Sequence, residues 1–359
     1  PIYWLEIQQT FDDLVVSTYG RGYYILDDLA ALRQFNPEQE NEIQVFDPRQ
    51  SYRFSVKESI KTDGFSHNSG SNPAYGTPIN YYLPDTSYQE VMIQIQNENN
   101  EIIRTIKGPN KKGVNRLMWD LRYEPTFKPQ LRTQPPGRPW VQLNGEGWRP
   151  LVTWDLDLRS GQFGPRVAPG NYKALIKIDD QLFTKEIVVL KDPNGTGSLA
   201  DIQKQVALSL ALRDAMNLAV EMINKIEFIR NELGTLQEAL VKKADLKEAD
   251  RLVEISTQIA GSLYDIHLTG AREDAFRSPM KLYSRLSALA SDLNASGIDF
   301  KPTNQQEEVY DILNKRLQTT KIQFDQLIEN DIATFNKKLN QLNMRIDIEK
   351  RLMKAIKYP

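Results

Sequence analysis

The sequence predicts a multidomain β + α protein in which β-structure precedes a helical region. Up to about residue 192, short apolar runs alternate with turn residues, and several runs place apolar side chains at every second position. From Ser198 onward, apolar residues recur every three or four positions, as on one face of a helix. The 359 residues include 40% hydrophobic and 26% charged residues, which is typical of globular proteins, and the length suits two or three domains.

The first region, residues 1–60, contains a predicted β-hairpin. Residues 14–19 are predicted to form a buried strand and residues 23–26 a second one, with the Gly-Arg-Gly turn at 20–22 between them. A hairpin of two short strands is marginally stable alone in water. We therefore expect these strands to join polypeptide upstream of residue 1, so that the sequence is part of a longer protein.

A specific motif lies within this region. Residues 13–28 read DLVVSTYGRGYYILDD. This run resembles the last blade of the bacterial BNR-repeat, sortilin-type β-propellers, which are often labelled glycosyl hydrolase-like, with Tyr19 where that family usually has histidine. Residues 72–83 resemble the segment that follows the propeller in the same family. The resemblance implies a terminal β-propeller blade remnant and export to the periplasm, outer membrane or cell surface of a Gram-negative bacterium.

The second region, residues 78–192, is predicted to form a β-sandwich, because several short strands follow one another at regular spacing. Residues 113–120 and 168–172 resemble the Ig-like fold of flagellar hook-capping proteins, in which a Pro-Gly-x-Tyr turn introduces the penultimate strand. Residues 61–77 are interpreted as a linker. The predicted strands lie at residues 91–95, 102–106, 114–121, 171–178 and 182–190.

A proline- and tryptophan-rich insertion, residues 123–167, interrupts this sandwich. Irregular segments of this length in a compact domain are usually functional or packed on a neighbour. Arginine and tryptophan are frequent interface anchors, and tryptophan faces stack on sugar rings or extended peptide. The insertion therefore either binds a carbohydrate or peptide ligand, or packs within the protein. Its candidate binding residues are Arg132, Arg138, Trp140, Trp148, Arg149 and Trp154.

The third region, residues 193–359, is predicted to form a C-terminal antiparallel α-helical bundle. Ser198 with Asp201 and Thr303 with Gln306 have the spacing of capping boxes, and Pro279 is expected at the first position of a helix. Four helices with one apolar stripe each, and either a fifth helix or a kinked continuation, can bury those stripes only against one another. The predicted stripes are Leu212–Ile226, Leu252–Ile266, Leu282–Leu293, Val309–Leu327 and Phe335–Ile346.

Composition and motifs exclude several classes of function. The net charge of −2 removes the electrostatic reason to propose nucleic-acid binding, and no apolar run could span a membrane. The absence of cysteine excludes disulfides and thiolate sites, and the two histidines, His67 and His267, have no second ligand at a metal spacing. We expect no metal, no cofactor and no catalytic residue in this chain.

Two features of the hairpin remain open to interpretation. Asp27 and Asp28 are adjacent, so they would point to opposite faces of a strand and are better suited to closing the blade through turn hydrogen bonds than to glycoside hydrolysis. Arg21 either binds an anion in a central funnel or forms a salt bridge that locks the blade to the following domain.

These predictions lead to two hypotheses of function. The chain is either a non-catalytic scaffold that braces a propeller and contacts an envelope protein, or an accessory part of a glycoside hydrolase-like enzyme whose active site lies in other blades. Fold alone does not decide between them. Aspartate boxes and an arginine cluster in the rest of the propeller would favour the enzyme.

Overall fold

The protein has a mixed β + α fold, and its described residues form three sheets followed by a helical region. A computed structural model describes residues 1–55, 73–149, 159–240, 243–271, 273–277, 279–294, 298–342, 344–346 and 357. The chain forms two units, each assembled from separate stretches. Unit 1 comprises residues 1–124, 166–206 and 296–300, and unit 2 comprises residues 125–165, 207–295 and 301–359.

The first sheet of unit 1 is an antiparallel meander of three strands. It contains β1 (Ile2–Gln8), β2 (Asp13–Thr18) and β3 (Tyr23–Leu26), in that order. The predicted hairpin is confirmed as β2 and β3, whereas β1 was not predicted. A short helix, α1 (Ala30–Gln34), follows the sheet.

The other two sheets share one hydrophobic core. The five-stranded sheet has the order β5-β11-β10-β7-β8 and the three-stranded sheet the order β4-β6-β9, and all their pairings are antiparallel except that of β5 with β11. β7 alternates buried and half-buried residues along its length, as the period-two pattern predicted. The strands are β4 (Gln44–Val45), β5 (Ser51–Arg53), β6 (Thr77–Leu83), β7 (Val91–Gln96), β8 (Ile102–Lys107), β9 (Gly113–Trp119), β10 (Gly170–Ile178) and β11 (Gln181–Lys191).

The domain boundaries predicted from the sequence differ from the sheet boundaries. β4 and β5 lie within residues 1–60, which were assigned to the blade and its exit segment, but they pair with β6 and β11 of the two-sheet core. The central strand β6 was also missed, because its Thr-Pro-Ile-Asn-Tyr-Tyr-Leu sequence is buried at nearly every position and therefore lacks alternation. Of the predicted linker 61–77, residues 61–72 lie outside the described residues.

The helices of the C-terminal region bury most of the apolar stripes that predicted them, although Val309 and Leu342 are 43% and 41% exposed. Leu212, Met216 and Ile223 on α3 are fully buried, as are Leu286 on α6 and Leu327 at the end of α7. The helices are α2 (Arg159–Gln162), α3 (Leu199–Ala239), α4 (Lys243–Leu263), α5 (Asp274–Arg277), α6 (Leu282–Asn294), α7 (Asn304–Gln326) and α8 (Ala333–Leu339).

The ends of these helices test the sequence signals. Both predicted capping boxes are confirmed: Ser198 exchanges hydrogen bonds with Asp201, and Thr303 with Gln306. α6 begins at Leu282, so the prediction that Pro279 occupies the first helical position is wrong. The stretch after α7 is a continuation, because a π-helical segment, Leu327–Ile332, joins α7 directly to α8.

A glycine fixes the packing of α2 in unit 2. A Cβ atom on Gly161 would lie 2.2 Å from the backbone oxygen of Ser287 on α6. Only glycine, which has no Cβ atom, therefore allows α2 and α6 to approach this closely at position 161. The Gly161 amide donates to the hydroxyl of Ser291 at 2.9 Å. Within the described residues, no helix has both the length and the apolar character needed to cross a membrane.

Candidate interaction surface

The sheet formed by β1, β2 and β3 exposes large apolar side chains on both of its faces. Directly paired residues of antiparallel strands share a face, so the pairs Leu5↔Val16 and Val16↔Tyr24 place these three residues on one side. Leu5 and Tyr24 are 54% and 58% exposed. On the opposite side, Ile25 pairs with Val15 and is 60% exposed. Contiguous apolar exposure of this kind is typical of surfaces that another polypeptide covers.

Both faces carry further members. The first face continues with Ile7, Leu14 and Leu26, and the second with Trp4, Glu6, Ser17 and Tyr23. Each residue of β1 and β3 is exposed, and each residue of β2 is half-buried. We call these two sides the blade faces.

A buried ionic group fastens the sheet within unit 1. Asp28, at the end of β3, is 4% exposed and accepts a 2.8 Å hydrogen bond from the side-chain amide of Asn80 on β6. Arg116 on β9 donates to the backbone oxygens of Asp27 and Asp28 at 3.0 and 2.9 Å. The Asp28 amide donates to the carboxylate of Asp13 at 2.9 Å. These contacts anchor the end of this sheet to β6 and β9, and the interpretation of Asp27-Asp28 as a turn that closes a blade stays a prediction.

A second ion pair links the sheet to α1. Arg33 donates from its Nε and Nη2 atoms to the carboxylate of Asp12, at 2.9–3.2 Å. Arg21, the residue proposed as an anion ligand or a locking salt bridge, is exposed in the turn between β2 and β3 and has no ion pair with any described residue. Among the described residues, this sheet instead forms ion pairs through Asp12 with Arg33, at 2.9 Å, and through Asp28 with Arg116, at 3.5 Å.

A cleft of about 730 Å³ lies beside the sheet in unit 1. Its aromatic wall contains Tyr52 and Phe54, stacked with centroids 5.1 Å apart, and Phe11, whose ring meets theirs edge-on. The Arg49 guanidinium lies 5.0 Å from the centre of the Phe11 ring. Asp27 also lines the cleft. The combination of ring faces with charged groups suits a ligand that has both an apolar face and polar substituents.

In unit 2, the insertion is held along one face of α3 by hydrogen bonds from its backbone. The amides of Phe127 and Gln130 donate to the side-chain oxygens of Asn217 and Asn224, at 2.9 and 2.6 Å. The amide of Thr133 donates to the Glu227 carboxylate at 2.9 Å. The donors follow at intervals of three residues. For residues 127–133, the interpretation of the insertion as a segment packed within the protein is therefore confirmed.

Glu227 is the centre of a buried polar network in the same unit. Its carboxylate is fully buried and also accepts from the Thr133 hydroxyl, the Arg230 guanidinium and the Tyr264 hydroxyl. Burial, with the neighbouring Glu227 charge, raises the pKa of Tyr264 well above its ordinary value. The phenol is therefore held neutral as a hydrogen-bond donor.

Arg149 belongs to this buried region and not to an exposed binding surface. It is 2% exposed and donates to the backbone oxygens of Thr133, Ile266 and Leu268. Burial lowers the pKa of Arg149 below its ordinary value, and the nearby Glu227 carboxylate offsets only part of this shift. The expectation that Arg149 contacts a ligand is not supported by this environment, because its donors are used within unit 2.

The remaining candidates of the insertion are not gathered into one site. Arg132 is half-buried and donates to the Gln130 side chain at 2.8 Å, and Arg138 and Trp148 are half-buried in turns. Trp140 is 70% exposed. Trp154 lies outside the described residues. Trp140 is thus an exposed aromatic side chain available for contact with another molecule.

Sequence reasoning missed the residues that organise these sites. Glu227 follows Ile223 by four positions and therefore falls on the apolar stripe of α3, where an acidic residue signals a buried network. Nothing comparable in the sequence identifies Tyr264 or Asn80 as partners. Within the described residues, no group of three or more metal-ligating side chains converges.

Comparison with known proteins does not assign a family. No family model matches the chain, and no curated protein matches it. A solved structure named "pT26-6p" is similar over 73% of this chain at 13% sequence identity, with a TM-score of 0.14. The chain spans 46% of that protein. A likeness at this TM-score carries no argument about fold or function, so the resemblance to BNR-repeat propellers remains a prediction.

Proposed function

We propose that this chain is a non-catalytic scaffold and interaction region of an exported β-propeller protein. In this proposal, β1–β3 form the last blade and the two-sheet core is an Ig-like sandwich. The helical region would brace the assembly and contact a partner of the cell envelope. The single observation that carries the proposal is the apolar exposure of both blade faces.

The exposure argues for a propeller because of how a blade is packed. Each blade of a propeller is a small antiparallel sheet in a radial array, so its two faces lie against neighbours. Covering a large apolar side chain is worth about 1.5–3 kcal/mol, and the blade faces carry more than six such side chains. A sheet covered on one face only would need one apolar face, whereas Tyr23, Ile25 and Trp4 make the second face apolar as well.

The Ig-like interpretation is supported by the packing of a turn and a tryptophan. Gly170 begins β10 after Pro169, and Tyr172 lies two residues further along that strand. The Tyr172 ring meets the fully buried Trp119 edge-on, with centroids 5.4 Å apart, and its hydroxyl donates to the Ala168 oxygen. The tyrosine of the Pro-Gly-x-Tyr sequence thus contributes directly to the core.

Cysteine labelling tests the proposal, since the natural chain contains no cysteine. Tyr24→Cys and Ile25→Cys report on the two blade faces, and Leu182→Cys on β11, 64% exposed, is the matched control. In residues 1–359 alone, all three should react rapidly with a maleimide. In the protein made from its complete reading frame, the two blade positions should react at least about tenfold more slowly, while position 182 is unchanged.

Equal labelling of positions 24 and 25 in both proteins would refute the scaffold assignment, because the blade faces would then have no neighbour. Protection of one face alone would refute the propeller and leave an ordinary half-buried sheet.

The cleft beside the sheet supports the alternative function, an accessory wall of a glycoside hydrolase-like site. Tyr52 and Phe54 offer a stacked aromatic surface, and Asp27 and Arg49 offer hydrogen bonds to hydroxyl groups. If this is correct, Tyr52→Ala in the complete protein weakens oligosaccharide binding, whereas Tyr82→Ala on β6 does not. A complete protein that neither binds nor cleaves glycans would exclude the alternative.

A further inference from the structure

A groove in unit 2 gathers positive charge from two helices. It has a volume of about 730 Å³ and lies between the end of α4, the start of α6 and one face of α7. Lys281 precedes α6 and Arg285 lies in its first turn, while Lys315 and Arg316 lie on α7. Ile312, one turn before them on α7, is 46% exposed and gives the groove an apolar part. We call this site the basic groove.

The cations of the basic groove are not neutralised by the described part of the chain. Among the described residues that line the groove none is acidic, and none of the four cations forms an ion pair with a described residue. Other cations of the helices are paired: Arg251 contacts Glu248 and Asp331, and Lys321 contacts Asp325. Four like charges around one groove repel one another, so a bound anion would relieve that repulsion.

Some of the donors are positioned in advance. The Nε atom of Arg285 donates to the Met280 oxygen at 3.0 Å, which orients the guanidinium and leaves its two terminal nitrogens available. Leu282, the first residue of α6, also lines the groove. Guanidinium groups suit phosphate because two of their N–H groups match two phosphate oxygens.

We propose that the basic groove binds a soluble small molecule that carries two or more phosphate groups. A phosphate monoester carries a charge of about −1.5 to −2 at neutral pH, so two of them balance four cations. The groove volume falls within the range of small-molecule sites, about 300–1,000 Å³. The exposed Ile312 would contact the part of the ligand that is not phosphorylated. This site is independent of the proposed function and does not use the blade faces.

Calorimetric titration of residues 1–359 with inorganic pyrophosphate tests this proposal at low ionic strength. We expect saturable binding at one site, weaker binding of orthophosphate, and loss of affinity as salt is added. The double variant Lys315→Gln/Arg316→Gln should bind at least about tenfold more weakly. The matched control, Lys337→Gln/Lys338→Gln on α8, removes the same charge outside the groove and should bind within about twofold of the natural chain. Arg285→Gln gives a second loss variant on a different helix.

Several results would overturn the proposal. A titration with pyrophosphate that gives no saturable heat would do so. Equal affinity for pyrophosphate in the groove variants and in the control variant would also do so. Tighter binding of poly-glutamate than of pyrophosphate, at equal charge, would indicate an acidic peptide instead. Binding to vesicles of anionic lipid that pyrophosphate does not displace would indicate a membrane surface.

Discussion

Replacing Glu227 by glutamine should remove much of the stability of the helical unit. The carboxylate is fully buried and carries the negative charge beside Arg230, whose side chain is 9% exposed, and near the buried Arg149. Glutamine keeps the shape and some of the hydrogen bonds but leaves Arg230 without its anion and removes one acidic neighbour of Arg149. Removing one partner of a buried ion pair typically costs about 3–5 kcal/mol, which is a large part of the 5–15 kcal/mol that stabilises an ordinary domain.

Urea unfolding followed by far-UV circular dichroism measures this loss, since unit 2 contains most of the helices. With a urea dependence of about 2 kcal/mol per molar, the midpoint of the helical transition should fall by roughly 1.5–2.5 M. Glu221→Gln is the matched control. Glu221 lies on the same helix but is exposed, so the change should move the midpoint by less than about 0.3 M.

A midpoint for Glu227→Gln within about 0.5 M of the natural chain would refute this reasoning. Such a result would mean that water or other groups compensate the arginines and that the network contributes little. A fall of the same size in Glu221→Gln would instead show that the effect comes from the charge of α3 as a whole.

Three further predictions follow from the same contacts. Because the pKa of Tyr264 is raised in the folded protein, its contribution to the free energy of unfolding is complete below pH 10, the ordinary tyrosine pKa, and is lost as the pH rises further. Tyr264→Phe should therefore make the decline of the free energy of unfolding above pH 10 shallower, by up to about 1.4 kcal/mol per pH unit. Equal declines for the two proteins, measured by urea unfolding at several pH values, would contradict this. Gly161→Ala should lower the stability by more than about 2 kcal/mol in thermal unfolding, because the new Cβ atom would overlap α6. Gly234→Ala, in open space on α3, should raise the stability by about 0.5–1 kcal/mol. Similar melting temperatures for the two variants would show that α2 moves aside. Asp28→Asn should lower the stability by about 1–3 kcal/mol in unfolding followed by tryptophan fluorescence, because Asp28 is buried. Asp12→Asn, at the exposed ion pair, should lower it by less than about 1 kcal/mol. A larger loss for Asp12→Asn than for Asp28→Asn would show that Asp28 does not anchor the sheet.

The regular elements could be predicted because each shows its burial in its own sequence. β7, with Val91, Ile93 and Ile95, and α3, with its stripe from Leu212, were correctly located since periodicity reports the side that faces the core. β1 was missed because its seven residues are all exposed, so apolar and polar side chains do not alternate between a core face and a solvent face. β6 was missed for the opposite reason, since almost every residue is buried.

The sites were harder to predict because their partners lie far apart in sequence. Arg149 and Trp140 belong to one arginine- and tryptophan-rich insertion, yet Arg149 is 2% exposed and Trp140 is 70% exposed. Residue type and local density do not distinguish these environments. The distinction arises from Leu268 and Ile266, whose backbone oxygens accept from Arg149 across more than a hundred residues of sequence.

The hydrogen bonds between the insertion and α3 affect the order in which the chain can fold during synthesis and the stability of a fragment that lacks the insertion. Because the chain is synthesised from its N-terminus, residues 127–133 emerge well before Asn217, Asn224 and Glu227 and must wait for these acceptors. A fragment that starts at residue 193 would contain the acceptors but not the donors. Its Glu227 carboxylate would lose the Thr133 amide and hydroxyl, and expression of the helical region on its own should therefore yield a weakly folded product.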